Sequence, residues 1–207
     1  MNRLRLFVVR HGETEWVRQR RFAGSRDIPL TEAGREQCAA VARALGSTAV
    51  AAVYASPLER ARASAEVIAK PHGLAVRIVP AFSEMSFGSW EGLTRDEVQA
   101  RDPEAWGQWR SAPHSFAPAG GETVQQVAER VNAGLAALQE AHKEQTIVLV
   151  SHGVVARVIV LGALGLGLDR LWTLDAAPAG ITEIEYEPGW ATVHRMNTVA
   201  HLDAVAP

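Results

Sequence analysis

The chain has almost no cysteine and no long apolar run. Cys38 is its only cysteine, which excludes an internal disulfide and a cysteine-rich metal site and is typical of a reducing compartment. No window reaches the ~18 apolar residues of a membrane span. Residues 1–5 lead directly into a short strand and lack the apolar stretch of a signal peptide. We therefore expect a cytoplasmic protein that does not enter a membrane.

The chain also lacks a strong charge of either sign. Its formal net charge is −2 at pH 7, so it has no overall basic field that would attract nucleic acid or an anionic membrane. Five histidines show no zinc-ligand spacing such as His-Glu-x-x-His: His72, His114, His142, His194 and His201. The expected partner is a small molecule, and we expect neither a metal nor another cofactor.

Length and patterning predict an α/β fold. The 207 residues, 47% of them hydrophobic, suit a single domain over 1–207 with a substantial core. Strand patterns alternate with helix patterns, which predicts a mostly parallel sheet flanked by helices as a three-layer sandwich. Predicted helices cover 31–46, 57–70, 94–101, 103–110, 124–138 and 154–164, the first capped by Thr31 and the second by Ser56, and a hairpin pairs 181–186 with 192–196.

The most informative segment runs from Phe7 to Gly12, where an apolar strand ends at Arg10 and His11. Ligands of open α/β sheets bind outside the carboxyl ends of the strands. A neutral histidine ring can attack phosphorus, and Arg10 disfavours the imidazolium by like-charge repulsion. The Arg10 guanidinium can also hold two phosphate oxygens. In isolation, Arg-His-Gly would more often be a surface pair at a strand end.

Four further segments strengthen this interpretation. They are Ser56-Pro57-Leu58-Glu59-Arg60-Ala61, Phe82-Ser83-Glu84, Gly88-Ser89-Trp90-Glu91-Gly92 and Ser151-His152-Gly153. Together with Arg10-His11 they resemble the histidine phosphatase superfamily, which contains the cofactor-dependent phosphoglycerate mutases and related phosphatases. The segment Gly120-Gly121-Glu122-Thr123 makes the chain most similar to the α-ribazole phosphatase and broad-specificity phosphatase branch.

The resemblance implies a role for each central residue. It assigns His11 as the nucleophile, Glu84 as the proton donor and His152 as a stabiliser of the transition state. Glu84 precedes aromatic residues, and apolar walls favour the neutral form that a general acid needs. Glu91 is its nearest rival, although capping or a turn also explains that residue. Gly153 starts a helix, whose N–H groups favour an anion.

Other positions are assigned with less support or depart from the family. Arg60 and Arg62 face differently because they lie two apart on a helix, and the family pattern assigns Arg60 to phosphate. A backbone approach to phosphate is expected at Gly24. Val17 stands where the family usually has asparagine, and a valine cannot donate to a phosphate oxygen. Ala179-Gly180 stands where the family often has asparagine, which leaves the pocket floor open.

The segment 82–120 is a candidate lid. It holds three arginines and six acidic residues, so a bisphosphorylated ligand would find few cations there, and the basic insertion typical of the mutases is missing. We therefore predict a metal-independent phosphatase of small phosphomonoesters that works through phosphohistidine. The alternatives are a cofactor-dependent phosphoglycerate mutase and a non-enzymatic phosphate-binding module, and the resemblance leaves a homodimer open.

Several aromatic residues carry a second open question. They either wall a pocket for a ring-bearing leaving group or pack in the core, and packing is the default for buried aromatic residues. These residues are Trp16, Phe87, Trp90, Trp106, Trp109 and Phe116.

Overall fold

A computed structural model describes residues 3–205, so Met1 and Asn2 of the N-terminal segment lie outside the described residues. Six strands form one sheet in the order β3-β2-β4-β1-β5-β6. They are β1 (Leu4–Arg10), β2 (Ala52–Ala55), β3 (Val76–Ile78), β4 (Gln145–Ser151), β5 (Ile181–Glu187) and β6 (Trp190–Thr198). The first four are parallel, whereas β5 is antiparallel to β1 and pairs with β6 as the predicted hairpin.

Between residues 3 and 205, seven α-helices connect and cover the strands. They are α1 (Glu15–Arg18), α2 (Glu32–Leu45), α3 (Glu59–Ala69), α4 (Arg95–Arg101), α5 (Pro103–Ser111), α6 (Val124–Ala141) and α7 (Gly153–Ala163). Thr31 caps α2 as predicted, and its hydroxyl accepts from Gly34 N at 3.0 Å. Capping boxes at Thr94 and Thr123 start α4 and α6. Within the described range, no helix has the length and apolar character needed to cross a membrane.

Successive side chains of the central strands point to opposite faces of the sheet. Both faces are covered by apolar core. Leu6 and Val8 belong to the core on the side of α6 and α7. Phe7 and Val9 belong to the core on the side of α2 and α3. The predicted three-layer α/β arrangement is therefore confirmed.

One predicted helix start is wrong. Ser56 does not cap α3, which begins two residues after Pro57 with Leu58 in the cap position and no side-chain cap bond. The Ser56 hydroxyl lies 2.7 Å from His152 Nε2 and accepts from Leu58 N at 3.3 Å. The hydroxyl that would have capped the helix is used by the histidine after β4.

The sheet brings three strand ends together. Arg10 at the end of β1 lies in register with Ser151 at the end of β4. The N–H of His11 donates to Ser151 O at 2.9 Å, and the N–H of Ser56 donates to Val150 O at 3.2 Å. His11, Ser56 and His152 therefore meet at one edge, as the topology predicts.

Candidate active site

A cleft of about 510 Å³ opens at this carboxyl edge. Six of the seven predicted site residues line it: Arg10, His11, Gly24, Arg60, Glu84 and Gly153. The seventh, His152, is fully buried behind them, with its ring centroid 5.2 Å from that of His11. The structure thus brings all seven residues together.

Both ring nitrogens of His11 have hydrogen-bond partners. Its Nδ1 lies 2.7 Å from Gly12 O, and because a carbonyl only accepts, Nδ1 carries the proton. Its Nε2 is therefore unprotonated, and it accepts from Arg60 Nε at 3.2 Å. Burial first, and then the Arg60 and Arg10 cations, hold the His11 pKa well below its usual 6.5. The ring is neutral, with the Nε2 lone pair at the cleft.

The backbone after the nucleophile is tightly enclosed. Gly12 N donates to Ser64 Oγ at 3.1 Å, and Ser64 Oγ donates to Arg60 O at 2.7 Å. A Cβ at Gly12 would lie 2.3 Å from Gly34 O and 2.8 Å from Cys38 Sγ. Glycine at this position lets β1 deliver His11 against α2.

The structure distinguishes the two competing arginines. Arg60 is 1% exposed, whereas Arg62 faces solvent. Besides its contact with His11, Arg60 donates from Nη1 to Arg26 O at 2.6 Å and from Nη2 to Gly24 O at 2.8 Å. Burial lowers the Arg60 pKa. Gly24, with φ of 50°, thus contributes a carbonyl that orients this guanidinium.

Arg10 and His152 each present a buried nitrogen that lacks a protein partner among the described residues: Arg10 Nε and His152 Nδ1. Arg10 donates from Nη1 to Ala176 O at 2.5 Å. Burial, reinforced by Arg157 and Arg60 and opposed by Glu84, lowers the Arg10 pKa to about 10. Buried polar atoms are normally hydrogen-bonded, so both nitrogens are candidates for contact with a ligand.

Burial also lowers the His152 pKa well below 6.5, and Arg60 is the next largest cause. The ring is therefore neutral. If Ser56 donates to Nε2, the proton of His152 resides on Nδ1, and that N–H can donate to an oxyanion. This geometry suits the stabilising role expected of His152.

Glu84 is half-buried, and two backbone amides donate to its carboxylate. Oε1 accepts from Met85 N at 3.0 Å, and Oε2 accepts from Val154 N at 3.4 Å. Its rival Glu91 does not line the cleft. The Glu91 carboxylate accepts from Ser25 N at 3.0 Å and from Phe87 N at 3.2 Å, which makes it a loop-stabilising group.

Arg130 supports the Glu84 segment and was missed from the sequence. It donates to Ala81 O at 2.8 Å, Ser83 O at 2.7 Å and Glu84 O at 3.2 Å. It also binds both oxygens of Glu122, at 2.9 and 3.0 Å. We call this arrangement the Arg130 clamp. Its only signal in the sequence is an arginine about two helical turns after the segment Gly-Gly-Glu-Thr.

The charged residues that line the cleft are mostly basic. Six arginines line the cleft: Arg10, Arg20, Arg21, Arg60, Arg95 and Arg157. Glu84 is the single acidic residue among the described lining residues. Glu97 is used in a capping box and Asp102 caps α5, so the acids of that segment are largely structural. Five of these six arginines lie outside segment 82–120, which contributes only Arg95 to the described lining, so the count made on that segment does not describe the charge of the whole cleft.

The positions that depart from the family also lie at the site. Val17 lines the cleft. Ala179 N donates to Arg10 O at 3.0 Å and to His11 O at 3.2 Å, so backbone groups close the end of β1 there. In the described part of the chain, no group of three or more His, Cys, Asp or Glu side chains is arranged to hold a metal ion.

Comparison with known proteins agrees with this geometry. A family model described as "Histidine phosphatase superfamily (branch 1)" matches residues 6–199. Phosphoserine phosphatase 1 of Hydrogenobacter thermophilus is 32% identical, covering 96% of this chain and 94% of that protein. The probable phosphoglycerate mutase GpmB of Salmonella paratyphi C is 33% identical, covering 98% and 97%. A putative α-ribazole-5′-P phosphatase structure from Escherichia coli has a TM-score of 0.86 at 29% identity, covering 94% and 96%.

Proposed function

This chain belongs to the histidine phosphatase superfamily, and on that premise we propose that it hydrolyses small phosphomonoesters through a phosphohistidine on His11. The observation that carries the proposal is the state of the His11 ring. A buried, neutral imidazole accepts from Arg60 at Nε2 in a cleft lined by arginines. A neutral ring is the nucleophilic form, and the surrounding guanidinium groups attract the phosphoryl group.

In the first step, His11 Nε2 forms a bond to phosphorus while the ester P–O bond breaks. Glu84, protonated at this stage, gives its proton to the leaving alkoxide. Arg10 Nε and His152 Nδ1 are the partner-free nitrogens that donate to the phosphoryl oxygens. Such pre-aimed donors stabilise charge as it develops and need no reorganisation.

In the second step, the Glu84 carboxylate takes a proton from water as the water oxygen bonds to phosphorus. The N–P bond breaks, the pair of electrons returns to His11 Nε2, and phosphate leaves. Glu84 is then protonated again for the next cycle. Glu84 therefore donates a proton in the first half-reaction and accepts one in the second.

A second candidate, a phosphoglycerate mutase, is favoured by one observation. Six arginines line the cleft, and this number suits a substrate with a second anionic group. The charge of segment 82–120 alone does not indicate this. In a mutase the phosphoenzyme passes its phosphoryl group to another hydroxyl, whereas in a phosphatase it passes to water. We favour the phosphatase because no basic insertion encloses the phosphoenzyme.

Two rates measured on one preparation separate these functions. We expect purified protein to release inorganic phosphate from 3-phosphoglycerate and phosphoserine faster than it interconverts 3- and 2-phosphoglycerate. His11→Asn should abolish phosphate release, while His194→Asn on exposed β6 should leave it unchanged. Faster interconversion would establish the mutase. Phosphate binding without turnover would establish a binding module.

A further inference from the structure

A second cavity of about 360 Å³ adjoins the catalytic cleft. Four residues line both spaces: Phe22, Arg95, Arg157 and Trp172. Trp106 and Arg110 are among those that line only the second one. We call this second cavity the annex. The four shared residues show that the two spaces lie side by side.

The aromatic residues near the annex differ in whether they line it. Trp90, which is 5% exposed, and Phe116 pack together with ring centroids 5.5 Å apart and do not line the annex. Trp106 and Trp172 are only partly buried and do line it. The sequence left pocket wall and core packing as alternatives, and some residues do both: Phe87 is 6% exposed and lines the cleft, and Trp109 is 1% exposed and lines the annex.

Trp172 is fixed in orientation. Its Nε1 donates to Trp109 O at 3.2 Å, and its ring lies 4.9 Å from that of Trp109 in an edge-to-face arrangement. The Arg157 guanidinium lies 5.8 Å from the Trp172 ring centroid. Arg157 in turn donates to Gly153 O at 3.2 Å, in the catalytic cleft. Trp172 and Arg157 therefore contribute to the walls of both the catalytic cleft and the annex.

The charge of the annex is cationic. The side chains of Arg95 and Arg110 line it and have no ion pair or hydrogen bond within the described part of the chain. Asp175 is the only acidic residue among the described lining residues; it is 79% exposed and lies 3.6 Å from Arg157. These surroundings disfavour a cationic ligand. Guanidinium planes and indole rings both stack on flat groups.

We propose that the annex binds the leaving group of the substrate and that its preferred occupant is a flat, ring-bearing alcohol. The inference rests on the proposed function, because it requires the phosphoryl group to lie at His11. It specifies the substrate class: monoesters of alcohols that carry a ring, with no positive charge on that ring.

The test compares two synthetic monoesters, 2-phenylethyl phosphate and n-butyl phosphate. Both are esters of primary alcohols, so the basicity of the leaving group is nearly matched. Burying a phenyl ring favours the ring-bearing ester, and we expect its kcat/KM to be about 10-fold to 100-fold higher. Trp106→Leu should remove most of this preference, measured as the ratio of kcat/KM for the two esters.

Two controls make the result specific. Trp190→Leu removes a tryptophan that is 70% exposed and does not line the annex, and it should keep the full preference. Trp172→Phe retains an aromatic face and should keep part of it. Circular dichroism melting of each variant separates loss of the annex from loss of folding.

Other outcomes overturn the inference. Equal kcat/KM for the two esters in the wild type would show that the annex does not recognise a ring. A preference for 3-phosphoglycerate over glycerol 3-phosphate that Arg95→Gln abolishes, with no ring preference, would make the annex an anion site. Failure to hydrolyse any monoester would instead overturn the proposed function.

Discussion

Replacing Arg130 by methionine should disable the proton donor without touching the phosphate site. In the Arg130 clamp, the guanidinium donates to three carbonyls within four residues, Ala81 O, Ser83 O and Glu84 O. It also pairs with Glu122. Methionine retains the aliphatic length of the side chain but donates no hydrogen bond. The peptide that carries Glu84 would lose its attachment to α6.

The magnitude follows from these contacts. A hydrogen bond to a charged group contributes about 1.5–3 kcal/mol. The Arg130 side chain is 23% exposed, so water replaces some of the lost partners. We therefore expect the free energy of unfolding to fall by about 3 kcal/mol rather than by the sum of all five hydrogen bonds. Arg130→Lys keeps the charge but cannot reach all three carbonyls, so its free energy of unfolding should lie between those of the wild type and Arg130→Met.

Urea unfolding measures the stability, and a pair of substrates measures the role of the Arg130 clamp. Activity on n-butyl phosphate, whose alkoxide must be protonated, should fall at least about 10-fold. Activity on p-nitrophenyl phosphate, whose leaving group needs little protonation, should fall much less. Arg62→Met, on the solvent face of α3, is the matched control and should change neither measurement. Wild-type stability in Arg130→Met, or equal losses on both substrates, would refute this reasoning.

Three more predictions test other parts of the site. Glu84→Gln should lower kcat on alkyl phosphates by about 10²- to 10⁴-fold and lower it less on p-nitrophenyl phosphate; an equal loss on both would exclude a general acid here. Arg60→Gln removes a cation 3.2 Å from His11 Nε2, so the His11 pKa should rise and the acid limb of kcat/KM should move to higher pH, seen also by histidine NMR titration; an unchanged or lower pKa would contradict the assigned cause. Gly12→Ala should cost about 1–3 kcal/mol of stability in a denaturant titration because its Cβ meets Gly34 O at 2.3 Å, whereas Gly107→Ala, with open space around it, should not destabilise the protein.

Local sequence signals predicted most of the fold. Thr31, Thr94 and Thr123 mark helix starts because their hydroxyls accept backbone N–H groups that have no partner inside the helix. Apolar strands ending in Arg10-His11 and Ser151-His152 marked the edge where the candidate site lies. Ser56 failed as a cap because a distant partner, His152, uses its hydroxyl. Local patterns do not contain such long-range contacts.

The same limit explains what was missed around the site. Arg130 lies on α6, far along the chain from Glu84, and only the packing of α6 brings the two together. Arg157 lies one turn after Gly153 on α7, and the position of α7 at the carboxyl edge brings it into the cleft. The charge of segment 82–120 did not indicate the charge of the cleft, because most of the arginines that line the cleft come from other parts of the chain. Arg95 faces the cleft, whereas Glu97 is held at a helix start.

The central claim is that His11 carries the phosphoryl group, and one measurement tests it directly. Protein mixed for milliseconds with a ³²P-labelled monoester should be quenched in alkali, because phosphohistidine is labile to acid, and then digested and mapped. We predict label on the peptide that contains His11, formed and lost at rates compatible with turnover and absent from His11→Asn. Turnover without such label, or label on another residue, would contradict the account.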